Sequence, residues 1–248
     1  MITLQELEQR LSAFYPSAPW SDFGPNGLQV EGTPQIERVA TAVSASLVTL
    51  QAAVDAGVQV LIVHHGLFWK GDSYCVIRAK REKLRLLLEN GISLFAYHLP
   101  MDCHETIGNN WTAAREMGWK DLEIFGSLPL GVRGSFVPLE VSSFQKQLET
   151  YYGHTAQVAL GGKKTVSSAA LISGGAYKEI GQAAAANVDC FITGNFDEPA
   201  WNMAHEEGIN FFALGHSATE RVGPRALAHY LEKEWKLPAT FLDIPNPF

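Results

Sequence analysis

The sequence is poor in cysteine, in positive charge and in long apolar runs, and each shortage removes a class of protein. Its three cysteines, Cys75, Cys103 and Cys190, lie far apart and form no Cys-x-x-Cys pair. Neither a disulfide framework nor a structural zinc knuckle is expected, and a reducing compartment fits. A formal net charge of −7 leaves no broad basic surface to neutralise a phosphate backbone, which argues against nucleic acid as the main partner. No apolar run approaches a membrane span, and Met1-Ile-Thr-Leu-Gln-Glu-Leu-Glu8 lacks the basic-then-apolar order of a signal peptide. A cytoplasmic protein without a membrane partner is therefore expected. Phosphate-cradling motifs are missing too: Gly161-Gly-Lys-Lys-Thr165 has the wrong spacing, and there is no Gly-x-Ser-x-Gly elbow or Gly-x-Gly-x-x-Gly fingerprint.

What is present is a globular composition, 46% hydrophobic and 18% charged over 248 residues, which suffices for a large core. Leu4, Leu7 and Leu11 recur at helical spacing and predict an amphipathic helix ending before Pro16. A loop from Trp20 to Gly32, opened by Pro16 and Pro19, carries Asp22, Gly24, Pro25, Asn26 and Gly27, residues suited to turns whose polar side chains could reach a site. Beyond it the pattern reads strand (Val39 to Val43), helix (Leu47 to Ala56), strand (Val58 to Val63), a basic helix (Arg78 to Glu89) stopped by Gly91, and strand (Ile92 to Tyr97). That alternation is the pattern of a parallel sheet.

The plan then recurs. Ser168-Ala-Ala-Leu-Ile-Ser-Gly-Gly175, a helix of alanines, and Val188-Asp-Cys-Phe-Ile-Thr-Gly194 mirror the stretch from Ala40 to His65, and Glu206-Glu-Gly-Ile-Asn-Phe-Phe-Ala213 lines up with Glu89-Asn-Gly-Ile-Ser-Leu-Phe-Ala96. The expected fold is α/β, with two related α/β lobes and a dinuclear metal site in the cleft between them. The first lobe is placed at 1–124, a connecting subdomain with one helix near Ser142 to Tyr152 at 125–164, and a second lobe completing the site at 165–248.

The chemistry gathers at strand ends. Val60-Leu-Ile-Val-His64-His65-Gly66 closes one apolar strand, His98-Leu-Pro-Met-Asp102 follows the next, and Gly215-His216-Ser-Ala-Thr-Glu220 follows its counterpart in the second copy. Adjacent histidines on a strand point apart unless the backbone turns, and Gly66 is expected to turn it. Taken singly, His64 and His65 would be a core and a surface residue, Asp102 a turn residue and Glu220 a first-turn helix carboxylate. Parallel sheets, however, carry their ligands at the carboxyl ends of strands. Three imidazoles and two carboxylates there suit two ions of zinc, iron or manganese better than calcium or magnesium, provided one carboxylate, with Glu220 the candidate, bridges. Metal-bound hydroxide then makes hydrolysis the natural chemistry. His98 is placed either as a proton relay or as a packed surface histidine. Lys70, Arg221 and Arg225 are candidates for holding an anionic substrate or are simply solvated, and Cys103 has no evident base.

Asn26-Gly-Leu-Gln-Val-Glu-Gly32, Val63-His-His-Gly66 with Phe68-Trp-Lys-Gly71, His98 to Asp102, Gly215 to Glu220 and Asp243-Ile-Pro-Asn-Pro247 together resemble the NGG-interacting-factor-three-like family, whose members are often labelled GTP cyclohydrolase I type 2 homologues. The similarity spans nearly the whole chain and follows the short bacterial members. It implies a dinuclear site with His64, His65, Asp102, His216 and Glu220 as ligands, Glu220 shared by both ions, and a ring-shaped homohexamer. One departure is Gly194-Asn-Phe-Asp-Glu198, where relatives often carry glutamate directly after the glycine. The expected function is that of a metal-dependent hydrolase of a small, nucleotide-like or GTP cyclohydrolase-type substrate. The rival is a non-catalytic metal-binding or regulatory protein.

Overall fold

In the computed structural model, which describes residues 1–15 and 21–248, the chain divides into two compact units, 1–107 with 223–245 and 108–222 with 246–248. The residues expected to open the first loop, Pro16, Pro19 and Trp20, lie outside the described residues.

The first unit begins with β1 (Ile2–Thr3) and α1 (Leu4–Phe14). Thr3 caps α1, accepting from the Glu6 amide while the Glu6 carboxylate accepts from the Thr3 amide, so two amides that a helix start leaves unbonded are satisfied. Leu4, Leu7 and Leu11 are buried as the spacing predicts. Next come β2 (Gly27–Val30), β3 (Gln35–Ile36), β4 (Val39–Ser44), α2 (Leu47–Asp55), β5 (Val60–His65), α3 (Arg78–Glu89), β6 (Ser93–Ala96) and α4 (Leu99–Cys103). Part of the expected loop is thus a strand: residues 27–30 pair antiparallel with β6, giving its edge a partner. Strands β4, β5 and β6 are parallel. Their apolar runs are buried, with Leu61, Ile62 and Phe95 inaccessible to solvent, as expected where both sheet faces are covered.

The second unit holds α5 (Asn109–Glu116), β7 (Lys120–Phe125), β8 (Gly131–Glu140), α6 (Val141–Tyr152), β9 (Gln157–Leu160), β10 (Thr165–Leu171), α7 (Ile180–Ala185), β11 (Cys190–Thr193), α8 (Glu198–Glu206), β12 (Asn210–Ala213) and α9 (His216–Glu220). The chain then returns through α10 (Val222–Glu234) and β13 (Ala239–Phe241), which lies parallel to β4 in the first sheet. The sheet orders are β13-β4-β5-β6-β2 and β7-β8-β10-β11-β12-β9. Three parallel strands with an antiparallel neighbour beside the third occur in both, and a five-residue helix follows that third strand each time. The internal repeat is real at the level of topology.

The domain boundaries need correction. Residues 125–164 are not a separate connector, because β8 pairs with β10 and β9 with β12 inside the second sheet, and 223–245 belongs to the first unit. Proline and glycine spacing suggested a linker, but Val132 and Ala159 sit in the core, and burying them needs the ladder that β10 and β12 provide. No helix among the described residues is long and apolar enough to cross a membrane.

Asp189 ties the base of the second sheet together. It accepts from the Ser167 amide at 2.8 Å and the Lys163 ammonium at 2.8 Å. Burial alone would raise its pKa, but Lys163 and the Ser167 amide outweigh burial and hold it below its ordinary 3.8. A carboxyl depressed on folding stabilises the protein above its unfolded pKa and loses that contribution as pH falls through the folded value. Wild-type thermal stability should therefore decline more steeply below pH 3.8 than that of Asp189→Asn, measured by circular dichroism. Parallel curves would show that the network contributes nothing.

Cys75 is exposed, Cys103 partly buried and Cys190 buried. Burial, then the Asp102 charge, raise the Cys103 thiol to about 11, and burial pushes Cys190 higher still. Since the thiolate is the reactive form, a disulfide reagent should titrate Cys75 rapidly in native protein and the other two only on unfolding. Fast reaction of more than one thiol would contradict this burial pattern.

Candidate metal centre

Four of the six candidate residues lie in the first unit. β5 extends through both histidines, and its pairing with β6 stops at Val63 opposite Ala96. His64 is fully buried and His65 half-buried. Instead of diverging as alternate strand positions would, their rings converge to a centroid separation of 4.6 Å. Gly66, the residue after β5, is closely packed: its φ is not positive, and a Cβ there would lie 2.4 Å from the Gln29 side chain and 2.7 Å from Ala96 Cβ. His98, at the start of α4, has its ring 4.8 Å from that of His64. One ring nitrogen from each of His64, His65 and His98 lies within 4.8 Å of the others, a group that could hold a metal ion. Asp102 is buried on α4, its Oδ2 3.6 Å from His64 Nε2.

The turn residues before β2 position His98. Its amide donates to Asn26 Oδ1 at 2.8 Å, its Nδ1 lies 2.7 Å from Asp22 Oδ1, and the Leu99 amide donates to Asp22 Oδ2 at 3.1 Å. Burial would raise the Asp22 pKa, but bonds from His98, Asn26 and the Phe23 amide bring it down to about 2. Asp22 is therefore a carboxylate at any physiological pH. Lys70, a candidate anion holder, donates instead to the Ser21 hydroxyl.

In the second unit His216 and Glu220 sit one turn apart on α9, Nε2 to Oε1 3.0 Å, with Glu220 buried. Asn195, in the turn after β11, presents Oδ1 3.0 Å from His216 Nδ1. The amide thus fills the position of the family departure, and it bonds to His216 without adding charge. Gly174 supplies the space: its φ is +69°, and a Cβ would lie 2.4 Å from Glu220 Oε1 and 3.3 Å from His216 Nε2.

These residues fit divalent metal on two counts. Every candidate imidazole has its Nδ1 engaged: His64 with the Tyr97 carbonyl at 3.3 Å, His65 with the Ser44 hydroxyl at 3.0 Å, His98 with Asp22 and His216 with Asn195. A carbonyl, carboxylate or amide oxygen can only accept, so at His64, His98 and His216 it fixes the proton on Nδ1 and leaves Nε2 as a lone-pair donor atom, whereas the Ser44 hydroxyl, able to donate or accept, suits either tautomer of His65. The second count is spacing. Two ligand atoms at ~2.0 Å from a tetrahedral ion stand ~3.3 Å apart, and the two imidazole–carboxylate pairs, at 3.6 and 3.0 Å, bracket that value.

The sequence reading expected the site at strand ends, and the histidines are there. It missed the supporting residues Ser44 and Asn195 and left the role of Asp22 general. Ser44 was detectable only through register, since it pairs with His65 across β4 and β5. A carboxylate 76 positions from the imidazole it holds gives no local signal.

The model of the family described as Duf34/NIF3 (NGG1p interacting factor 3) matches residues 2–247. A Chlamydia pneumoniae protein described as a GTP cyclohydrolase 1 type 2 homolog is 52% identical, covering all of both chains. An Escherichia coli protein of the same description is 41% identical over 98% of each chain. Among solved structures, protein ybgI, of unknown function, superposes with a TM-score of 0.94 at 39% identity, and a protein from Thermus thermophilus with a TM-score of 0.90 at 33%, each over the full length of both chains. With its fold and nearly its whole length in agreement, the chain belongs to the Duf34/NIF3 family.

Proposed function

We propose that the protein is a metal-dependent hydrolase that holds two divalent ions, of zinc, iron or manganese, through His64, His65, Asp102, His216 and Glu220, with Glu220 shared. The observation that carries this reading is the gathering of ligand atoms at strand ends, one ring nitrogen each of His64, His65 and His98 within 4.8 Å of one another and His216 Nε2 3.0 Å from Glu220 Oε1, with Nδ1 of each imidazole engaged by a neighbouring oxygen. When bound, such ions supply Lewis acidity and lower the pKa of a coordinated water toward neutrality.

The chain's own residues supply positioning and proton transfer. Asp22 holds His98 with its proton on Nδ1, so Nε2 can accept or return a proton at the reacting group. Phe23 and Trp69 stand roughly perpendicular to the His98 ring at 5.7 and 5.1 Å and pack beside it. The substrate is a small molecule, and GTP ring opening is the narrow form of the proposal, taken from what the relatives are called. A homohexamer, implied by the resemblance, belongs to the same reading.

The test is turnover by protein loaded with zinc, iron or manganese, following formate release from GTP alongside a panel of amide, phosphoester and cyclic-amide substrates. A general acid–base residue is worth about 10²–10⁴ in rate, so His98→Gln should lower kcat by that factor with metal content unchanged. Absence of turnover from fully loaded protein on the whole panel would overturn the hydrolase reading and leave a non-catalytic, metal-holding or regulatory protein.

A further inference from the structure

Within the second unit a cavity of about 620 Å³ adjoins His216, a volume in the range of small-molecule sites. It is walled by the segment leading into β9 (154–157), the turn 194–196, residues 215–217 at the start of α9 and the segment 246–248. No aspartate, glutamate, lysine or arginine is among its lining residues. Its polar side chains are the amides of Gln157, Asn195 and Asn246, the hydroxyls of Thr155 and Ser217, and the two imidazoles. His154 has its ring nitrogens 2.8 Å from the Thr155 carbonyl and 3.0 Å from the Pro247 carbonyl; a neutral imidazole donates to only one of them, and the contact holds the ring in the wall. Phe196 is fixed edge-on against Phe211 at 5.6 Å, and Phe248 is exposed. Together they offer flat apolar surface.

We propose that this cavity binds the uncharged, planar, heterocyclic-amide part of the substrate, the class that includes nucleosides, free nucleobases and related lactams. The inference rests on the reading of His216 as a metal ligand only for what happens to the bound molecule, not for its binding. A wall without lysine or arginine gives a phosphate or carboxylate little compensation for lost water, which directs charged groups elsewhere. Amides offer donor and acceptor side by side and match the edge of a cyclic amide, while the aromatic rings meet its faces. Asn195 joins the cavity to the candidate metal centre, because its Oδ1 holds His216. A heterocycle in the cavity therefore reaches His216 without any grip on a phosphate tail. The recognised unit is the nucleoside, and a triphosphate adds nothing to its affinity.

The experiment is calorimetric titration of the full-length, zinc-loaded protein with guanosine, uridine, GTP and ribose 5-phosphate, with zinc content measured on the same samples. At least one nucleoside should bind with a Kd below millimolar, GTP no tighter than guanosine, and ribose 5-phosphate not at all. Gln157→Leu, at an exposed position on an edge strand, should weaken nucleoside binding tenfold or more with zinc content and melting temperature unchanged. Phe196→Ala should weaken it as well. Silence of both nucleosides at millimolar concentration, tighter binding of GTP than guanosine, or indifference to Gln157→Leu would each overturn the proposal. Protein that takes up no zinc on loading yet binds nucleoside would overturn the metal reading alone.

Discussion

Alanine in place of Glu220 is expected to abolish stabilisation by metal while leaving the metal-free protein about as stable as wild type. Glu220 is buried, with Oε1 3.0 Å from His216 Nε2. Without an ion, a buried carboxylate contributes little to folding and carries a desolvation cost. Its removal should shift the metal-free melting temperature by only a few degrees. With metal the two proteins diverge. A ligand at a hundredfold its Kd stabilises the folded state by ~2.7 kcal/mol, and for a chain of this size each kcal/mol is worth ~2–4 °C. Wild type should therefore gain roughly 5–10 °C on zinc addition, and Glu220→Ala close to none, by differential scanning fluorimetry. Equal gains in both would remove Glu220 from the ligand set.

Valine in place of Gly174 should damage both the fold of the second unit and its metal binding. The backbone there is left-handed at φ +69°, and an added Cβ falls 2.4 Å from the Glu220 carboxylate and 3.3 Å from the His216 nitrogen. The left-handed conformation costs about 1–2 kcal/mol for a residue with a Cβ, and overpacking adds about 1–3 kcal/mol. A loss on the order of 3 kcal/mol is expected in urea denaturation, together with loss of the zinc-induced gain. Gly181→Ala is the contrast: it lies in α7 with open space around it and should be neutral or stabilising by up to ~1 kcal/mol. A Gly174→Val protein that keeps stability and metal would mean that Glu220 and His216 move aside freely.

These two predictions mark where the sequence was legible. The repeat of apolar strand, helix and apolar strand was visible because parallel strands are buried on both faces and read as continuous Val, Ile, Leu and Phe, as in Val60 to Val63 and Phe211 to Phe212. His64, His65, Asp102, His216 and Glu220 stood out because each follows such a run. What stayed hidden depends on register and long-range approach. Residues 27–30 read as loop because their turn residues outweighed a four-residue strand that exists only beside β6. β8 and β9 read as linker because proline and glycine punctuate them, although their partners lie tens of residues away. Asp22 reaches His98, and Asn195 reaches His216, across 76 and 21 positions, and no periodicity encodes such pairs.

The most direct measurement is the metal content of wild-type protein purified without chelator, loaded with zinc, iron or manganese, desalted, and analysed by elemental mass spectrometry. Two ions per chain are expected, falling when His64 or Glu220 is replaced by alanine while circular dichroism stays unchanged. Protein that retains no metal after loading would contradict the account: the Nδ1 contacts of the four histidines would then serve packing alone.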